Sequence, residues 1–117
     1  MERIINVTPH PITFRKKDGT DFVVPPSGFL CGAKAVEKVV GGLKGEIEIV
    51  ETLFEVTREG LSEIDEIIEK FPGAIIIGSI ISAQAYPGLV MGMTPSPGFE
   101  RVPPNEKRMN PYKFTTF

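Results

Sequence analysis

Along most of this chain apolar and polar residues alternate with a period of two, the signature of strands with one covered face. Ile4, Ile5 and Val7 predict a short strand over residues 3–7. Pro9 and Pro11 end it, because neither can donate to a ladder. Ile12-Thr13-Phe14-Arg15 predicts a second strand. The Asp18-Gly19 pair within residues 16–20 then predicts a tight hairpin turn, with residues 21–24 as the return strand. Residues 29–40 are ambiguous: Ala33, Val36, Val39 and Val40 have helical spacing, but the run is short and bracketed by Val and Gly. A strand is the assignment made here. Residues 41–45, Gly-Gly-Leu-Lys-Gly, predict a flexible loop. Residues 46–49 alternate again, and a bulge at Val50-Glu51 leads to a continuation over 53–57.

Helical periodicity is clear in one place. Ile64, Ile67, Ile68 and Phe71 fall at i, i+3, i+4 and i+7, predicting a helix over 62–71 with Ser62 as N-cap and Asp65 at N3. Pro72-Gly73 stops it. Residues 74–77 are wholly apolar and predict a central strand buried on both faces. After Gly78-Ser79, residues 80–86 predict two helical turns, and Leu89-Val90-Met91 an extended segment. Residues 94–111 are rich in Pro, Gly and charge, predicting a long irregular C-terminal arm, and 112–117 predict a last strand. The sum is an α+β fold: an antiparallel-leaning sheet with one or two helices packed on it. Residues 1–93 form the compact domain. Residues 94–117 belong either to that domain or to an oligomer interface.

Composition narrows the chemistry. A chain of 117 residues fits one domain, and 41% apolar with 24% charged residues is ordinary for a globular protein. The abundance of Gly (12) and Pro (11) fits many turns between short elements. A net charge of −2 argues against nucleic acid as a partner, since phosphate calls for a basic footprint. Arg101, Lys107, Arg108 and Lys113 are interleaved with Glu100 and Glu106 and read as a solvated tail. The longest apolar stretch, residues 74–85, is broken by Gly78, Ser79, Ser82 and Gln84 and is about half of the ~20 residues that cross a bilayer. With no signal-peptide pattern at the start, the expectation is a cytoplasmic protein with no membrane partner. Frequent Ile, Glu and Lys with no Trp suit a thermophilic source.

Three stretches carry a resemblance. Asn6-Val7-Thr8-Pro9-His10-Pro11-Ile12, then Val24-Pro25-Pro26-Ser27-Gly28, then residues 75–85 resemble, in the same order, a family of small hypothetical proteins encoded by bacteriophages and proviruses. That family opens with Asn-Leu-Thr-Pro-His and has a Pro-Ser-Gly turn after its first hairpin. The resemblance implies a viral or proviral interaction module. It carries no binding residues, and Leu89-Val90-Met91-Gly92 stands where the family tends to have an Arg-x-Asp element. Some small phage proteins sequester nucleotide second messengers, which makes a ligand-sequestering role the alternative.

Few residues can do covalent chemistry. Cys31 and His10 are the single residues of their types, too few for a thiolate or imidazole metal site. Glu46, Glu48 and Glu51 read as an exposed strand face rather than a cation site. No cofactor is expected. A Cys31–His10 pair in a hydrolase or transferase is the remote alternative, because apolar flanks suit Cys31 to a core. His10, between two prolines, reads with Thr8 as a turn whose imidazole bonds a backbone group. Gly78-Ser79 lacks the frame of a nucleophile elbow, so Ser79 and Ser82 are not nucleophile candidates. Gly78, Ser79 and Ile80 do open a helix after a buried strand, and free N–H groups there suit a small anion. Met91, Met93, Phe99, Tyr112, Phe114 and Phe117 are the candidates for a homo-oligomer interface.

Overall fold

A computed structural model describes residues 3–43 and 45–117. Among the described residues the chain is α+β, with eight strands and two helices. The strands form three small sheets rather than one. The first pairs β1 (Ile4–Asn6) in parallel with β6 (Ile75–Ile77), in register Ile5↔Ile76. Met91 bridges the other side of Ile77, so the triple-isoleucine strand runs between two neighbours. That is why all three of its residues can be apolar.

The second sheet has the order β3-β2-β8-β7, from β2 (Ile12–Arg15), β3 (Asp21–Val24), β7 (Gly92–Pro95) and β8 (Met109–Thr115). β2 and β3 form the expected hairpin, with Gly19 at φ 86° closing a turn in which its N–H bonds the Lys16 carbonyl at 3.0 Å. Only glycine enters that region without strain. Residues 94–117 are less irregular than their composition suggests. β8 lies between β2, to which it is parallel, and β7, to which it is antiparallel, and it begins at Met109 rather than Tyr112. Leu89, expected to be extended, is in a turn, its N–H bonded to the Tyr86 carbonyl.

The third sheet is a long hairpin, β4 (Ala33–Leu43) against β5 (Ile47–Val56). Gly41, Gly42 and Leu43 extend β4 instead of forming a loop, because β5 offers each a ladder partner. Lys44 lies outside the described residues. The bulge falls on β4, at the register shift between Val39 and Gly41, opposite the Val50 region where it was expected on β5. β5 itself runs unbroken.

Helix α1 (Arg58–Lys70) begins four residues earlier than periodicity suggests. Thr57 is the N-cap, its hydroxyl accepting from the Gly60 N–H at 2.9 Å. A glycine in the first helical turn lowers helix propensity, but here a Cβ on Gly60 would run into the Tyr86 hydroxyl. Packing therefore requires the residue that propensity disfavours. Ile64 and Ile67 are buried, whereas Ile68, counted on the same stripe, faces out. Helix α2 (Ile80–Ala85) starts at Ile80 as expected, with Ser79 as its N-cap and Tyr86 as its C-cap.

The main core joins Ile5, Val7, Cys31, Ile64, Ile67, Ile76, Ala83, Tyr86 and Val90. Tyr86 is fully buried; its hydroxyl donates to the Gly32 carbonyl at 2.7 Å and accepts from the Thr57 N–H at 3.2 Å. One side chain thus fixes the entry to β4, the end of β5 and both helices. A second cluster forms where Phe14 stacks on Phe22 and meets the edge of Phe114.

Candidate functional site

Cys31 and His10 are held apart in kind. Cys31 is buried in the main core, where lost hydration, aided by the negative charge of Glu63, pushes its thiol up to about 11. A thiol so held is a poor nucleophile near neutrality. His10 is exposed and lines a hollow of about 580 Å³ with Pro104, Asn105 and Lys107.

The Asn-Val-Thr-Pro-His stretch is a clamp. Asn6 is fully buried, and its amide donates to the carbonyls of His10 (2.7 Å) and Val24 (3.1 Å). Its side-chain oxygen accepts from the Thr8 N–H at 2.9 Å. The Thr8 hydroxyl lies 2.7 Å from that oxygen and 2.9 Å from the His10 carbonyl, and donates to one of them. His10 enters this network through its backbone, not through the imidazole as the sequence suggests. The Asn6 carbonyl in turn accepts from the N–H and hydroxyl of Ser27, tying in the Pro-Ser-Gly turn. Two of the three resemblance stretches therefore meet at one buried amide.

The Gly78-Ser79-Ile80 corner is partly engaged by its own chain. Gly78 N–H bonds the Met91 carbonyl at 3.0 Å, and its α-carbon is hemmed in by Val90, Ser82 and Val7. The Ser79 hydroxyl caps α2 by accepting from the Ser82 N–H at 3.1 Å. The Ser82 hydroxyl in turn donates to the Cys31 carbonyl at 3.0 Å. Ile80 is exposed. These groups make a cap, and the six-residue helix behind them is too short to add much field.

The aromatic and Met residues of the last third divide. Met91, Met93, Phe99 and Phe114 are partly buried within the chain's own fold, while Tyr112 and Phe117 are exposed. The larger exposed apolar surface is on the β4–β5 hairpin. Residues 37–42 and 45–49 are all exposed. Val39, Val40, Ile47 and Ile49 show 58, 56, 56 and 49% of their surface to solvent. The signal for it was present: β-branched residues alternate with Lys and Glu on both arms, as in a strand pair covered by nothing else.

Charge segregates on this hairpin. β4 carries Lys34 and Lys38 opposite Glu55 and Glu51 of β5, and β5 adds Glu48. β4 also carries Glu37, so its edge is only slightly basic, whereas the charged residues of β5 are all acidic.

A further hollow, of about 380 Å³, gathers residues far apart in the chain: Arg15, Lys16 and Lys17 from the end of β2 and its turn, Ser96 and Phe99 from the loop after β7, and Asn110 and Tyr112 from β8. No acidic side chain lines it. Asp21 is turned to Arg15 and Arg108, whose hydrogen bonds hold its carboxyl down to about 2. Asp18 accepts from the N–H and hydroxyl of Thr20.

Among the described residues no group of three His, Cys, Asp or Glu side chains is placed to hold a metal, and no helix is long and apolar enough to cross a membrane. Comparison of the chain with protein-family models, with curated proteins and with solved structures finds no match.

Proposed function

We propose that this chain is a non-enzymatic interaction module of viral or proviral type that works by associating with further copies of itself through the β4–β5 hairpin. The observation that carries this reading is the exposure of Val39, Val40, Ile47 and Ile49 on a hairpin with two open edges. An isolated two-stranded hairpin is marginal in water, and an uncovered apolar strand edge is a template for pairing. The radius of gyration, 16.7 Å, exceeds the about 13 Å of a compact chain of this length, consistent with an arm reaching out from its base. The burial of Cys31 supports the non-enzymatic part.

Charge favours contact between unlike edges. Joining two β5 edges would bring rows of glutamates together, whereas β4 of one copy beside β5 of the next sets two lysines, Lys34 and Lys38, and one glutamate, Glu37, near Glu48, Glu51 and Glu55. Such a contact is head-to-tail, and it closes into a ring or runs on as a filament. Light scattering coupled to size-exclusion chromatography tests this. The wild-type chain should elute well above 12.8 kDa, and Val39→Lys with Ile49→Lys should return it to that mass. A wild-type protein that elutes as a monomer sinks the reading.

A further inference from the structure

Among the side chains that line the hollow at the end of β2, donors predominate. Among the described residues neither Lys16 nor Lys17 has an acidic partner. Each ammonium is instead supported by an aromatic ring: Lys16 lies 5.6 Å from the centre of Phe22, and Lys17 5.0 Å from that of Tyr112. Arg15 is fixed by Asp21 and by stacking 4.9 Å over Phe99. Asn110 accepts the Tyr112 N–H with its oxygen at 2.9 Å, which leaves its NH2 group as the unbonded end. Ser96, in the same wall, is 4% exposed, and its buried hydroxyl has no hydrogen-bond partner among the described residues.

A buried hydroxyl without a partner costs about 1–3 kcal/mol, and an acceptor entering beside it and the two lysines would satisfy all three groups at once. Rings that hold cations in place also reduce what a ligand must immobilise on binding. Phosphate has the charge and the acceptors that such a donor set lacks.

Next to this hollow, and sharing Lys16 and Tyr112 with it, is a second of about 380 Å³ lined by Phe22, Ile75, Pro111 and Phe114. Its walls are apolar and half aromatic, suited to a flat organic group. Each hollow is within the size range of small-molecule sites. We infer that the pair forms one binding site for a phosphate monoester of a planar aromatic body, with the phosphate held by Lys16, Lys17, Asn110 and Ser96 and the ring resting against Phe22 and Tyr112. This site is separate from the hairpin and does not depend on self-association.

Calorimetric titration with adenosine 5′-monophosphate, and with adenosine and inorganic phosphate as its two halves, tests the inference. The monophosphate should bind at least about tenfold more tightly than either half. Lys16→Gln with Lys17→Gln should weaken it by about tenfold or more and melt as the wild type does, and Ser96→Ala should weaken it by a smaller factor without lowering the melting temperature. Lys34→Gln with Lys38→Gln removes equal charge from the hairpin and should leave binding unchanged. The inference is overturned if the monophosphate fails to bind at about 1 mM, if phosphate alone binds as well, or if the two double variants behave alike.

Discussion

The base of the molecule and its hairpin are built from similar residues on opposite terms. Around Tyr86, valines, isoleucines and alanines from both helices, β1 and β6 leave almost nothing to solvent, and the polar atoms that enter are bonded. Toward the tip of β4 and β5 the same kinds of side chain stand in water, while at the foot Ala33 and Phe54 still pack against the core. The difference teaches that apolar content does not mark the core here; what matters is whether a second layer covers the strand. The base has helices for that layer. Beyond the contact of α2 with its foot, the hairpin has none within its own chain.

The comparison is broken most severely at Tyr86. Tyr86→Ala removes the ring and both hydrogen bonds, and should lower unfolding stability by about 4 kcal/mol or more, read from chemical denaturation. A loss under about 1 kcal/mol would mean that the base is not organised around this side chain.

A smaller effect comes from Cys31. Its thiol ordinarily ionises near 9.0, and in the fold it keeps its proton to about 11. The unfolded chain therefore releases the proton first as the pH rises. The stability is fully present below about 9 and is lost as the pH climbs through about 11, a decline of at most about 3 kcal/mol, which solvent screening reduces. Cys31→Ala should flatten this part of the profile, and an unchanged decline in that variant would assign it to other groups.

The smallest effect should be on the hairpin. Val39→Lys with Ile49→Lys should change the stability of the monomer by no more than about 0.5 kcal/mol, because neither side chain is covered. A large loss in dilute monomer would show that the arm is tied to the base after all.

Sequence patterning made the local parts of this fold legible. Asp18-Gly19 marked its hairpin, Ser79 its cap, and Ile75-Ile76-Ile77 the strand with neighbours on both sides. These depend on residues close in the chain. Where partners are distant, the pattern misled. Gly41-Gly42 looked like a loop because nothing local shows that β5 will pair with it. The start of α1 was missed because Gly60 makes sense only under Tyr86, twenty-six positions later in the chain. The candidate sites follow the same rule. Gly78-Ser79 was a contiguous signal and proved to be a cap. The basic hollow is assembled from residues 15–19, 96–99 and 110–112, and no spacing could announce it.

The place of β8 bears on how the protein is made. Phe14 is on the chain early, but its sheet partner Met109 follows some ninety residues later. While the ribosome is working, the β2–β3 hairpin must wait with one side open, and loops closed over such separations form slowly. A nascent chain halted before Met109 would hold a finished first hairpin and no finished sheet, and would be exposed to proteases and to sticking until the last strand slots in.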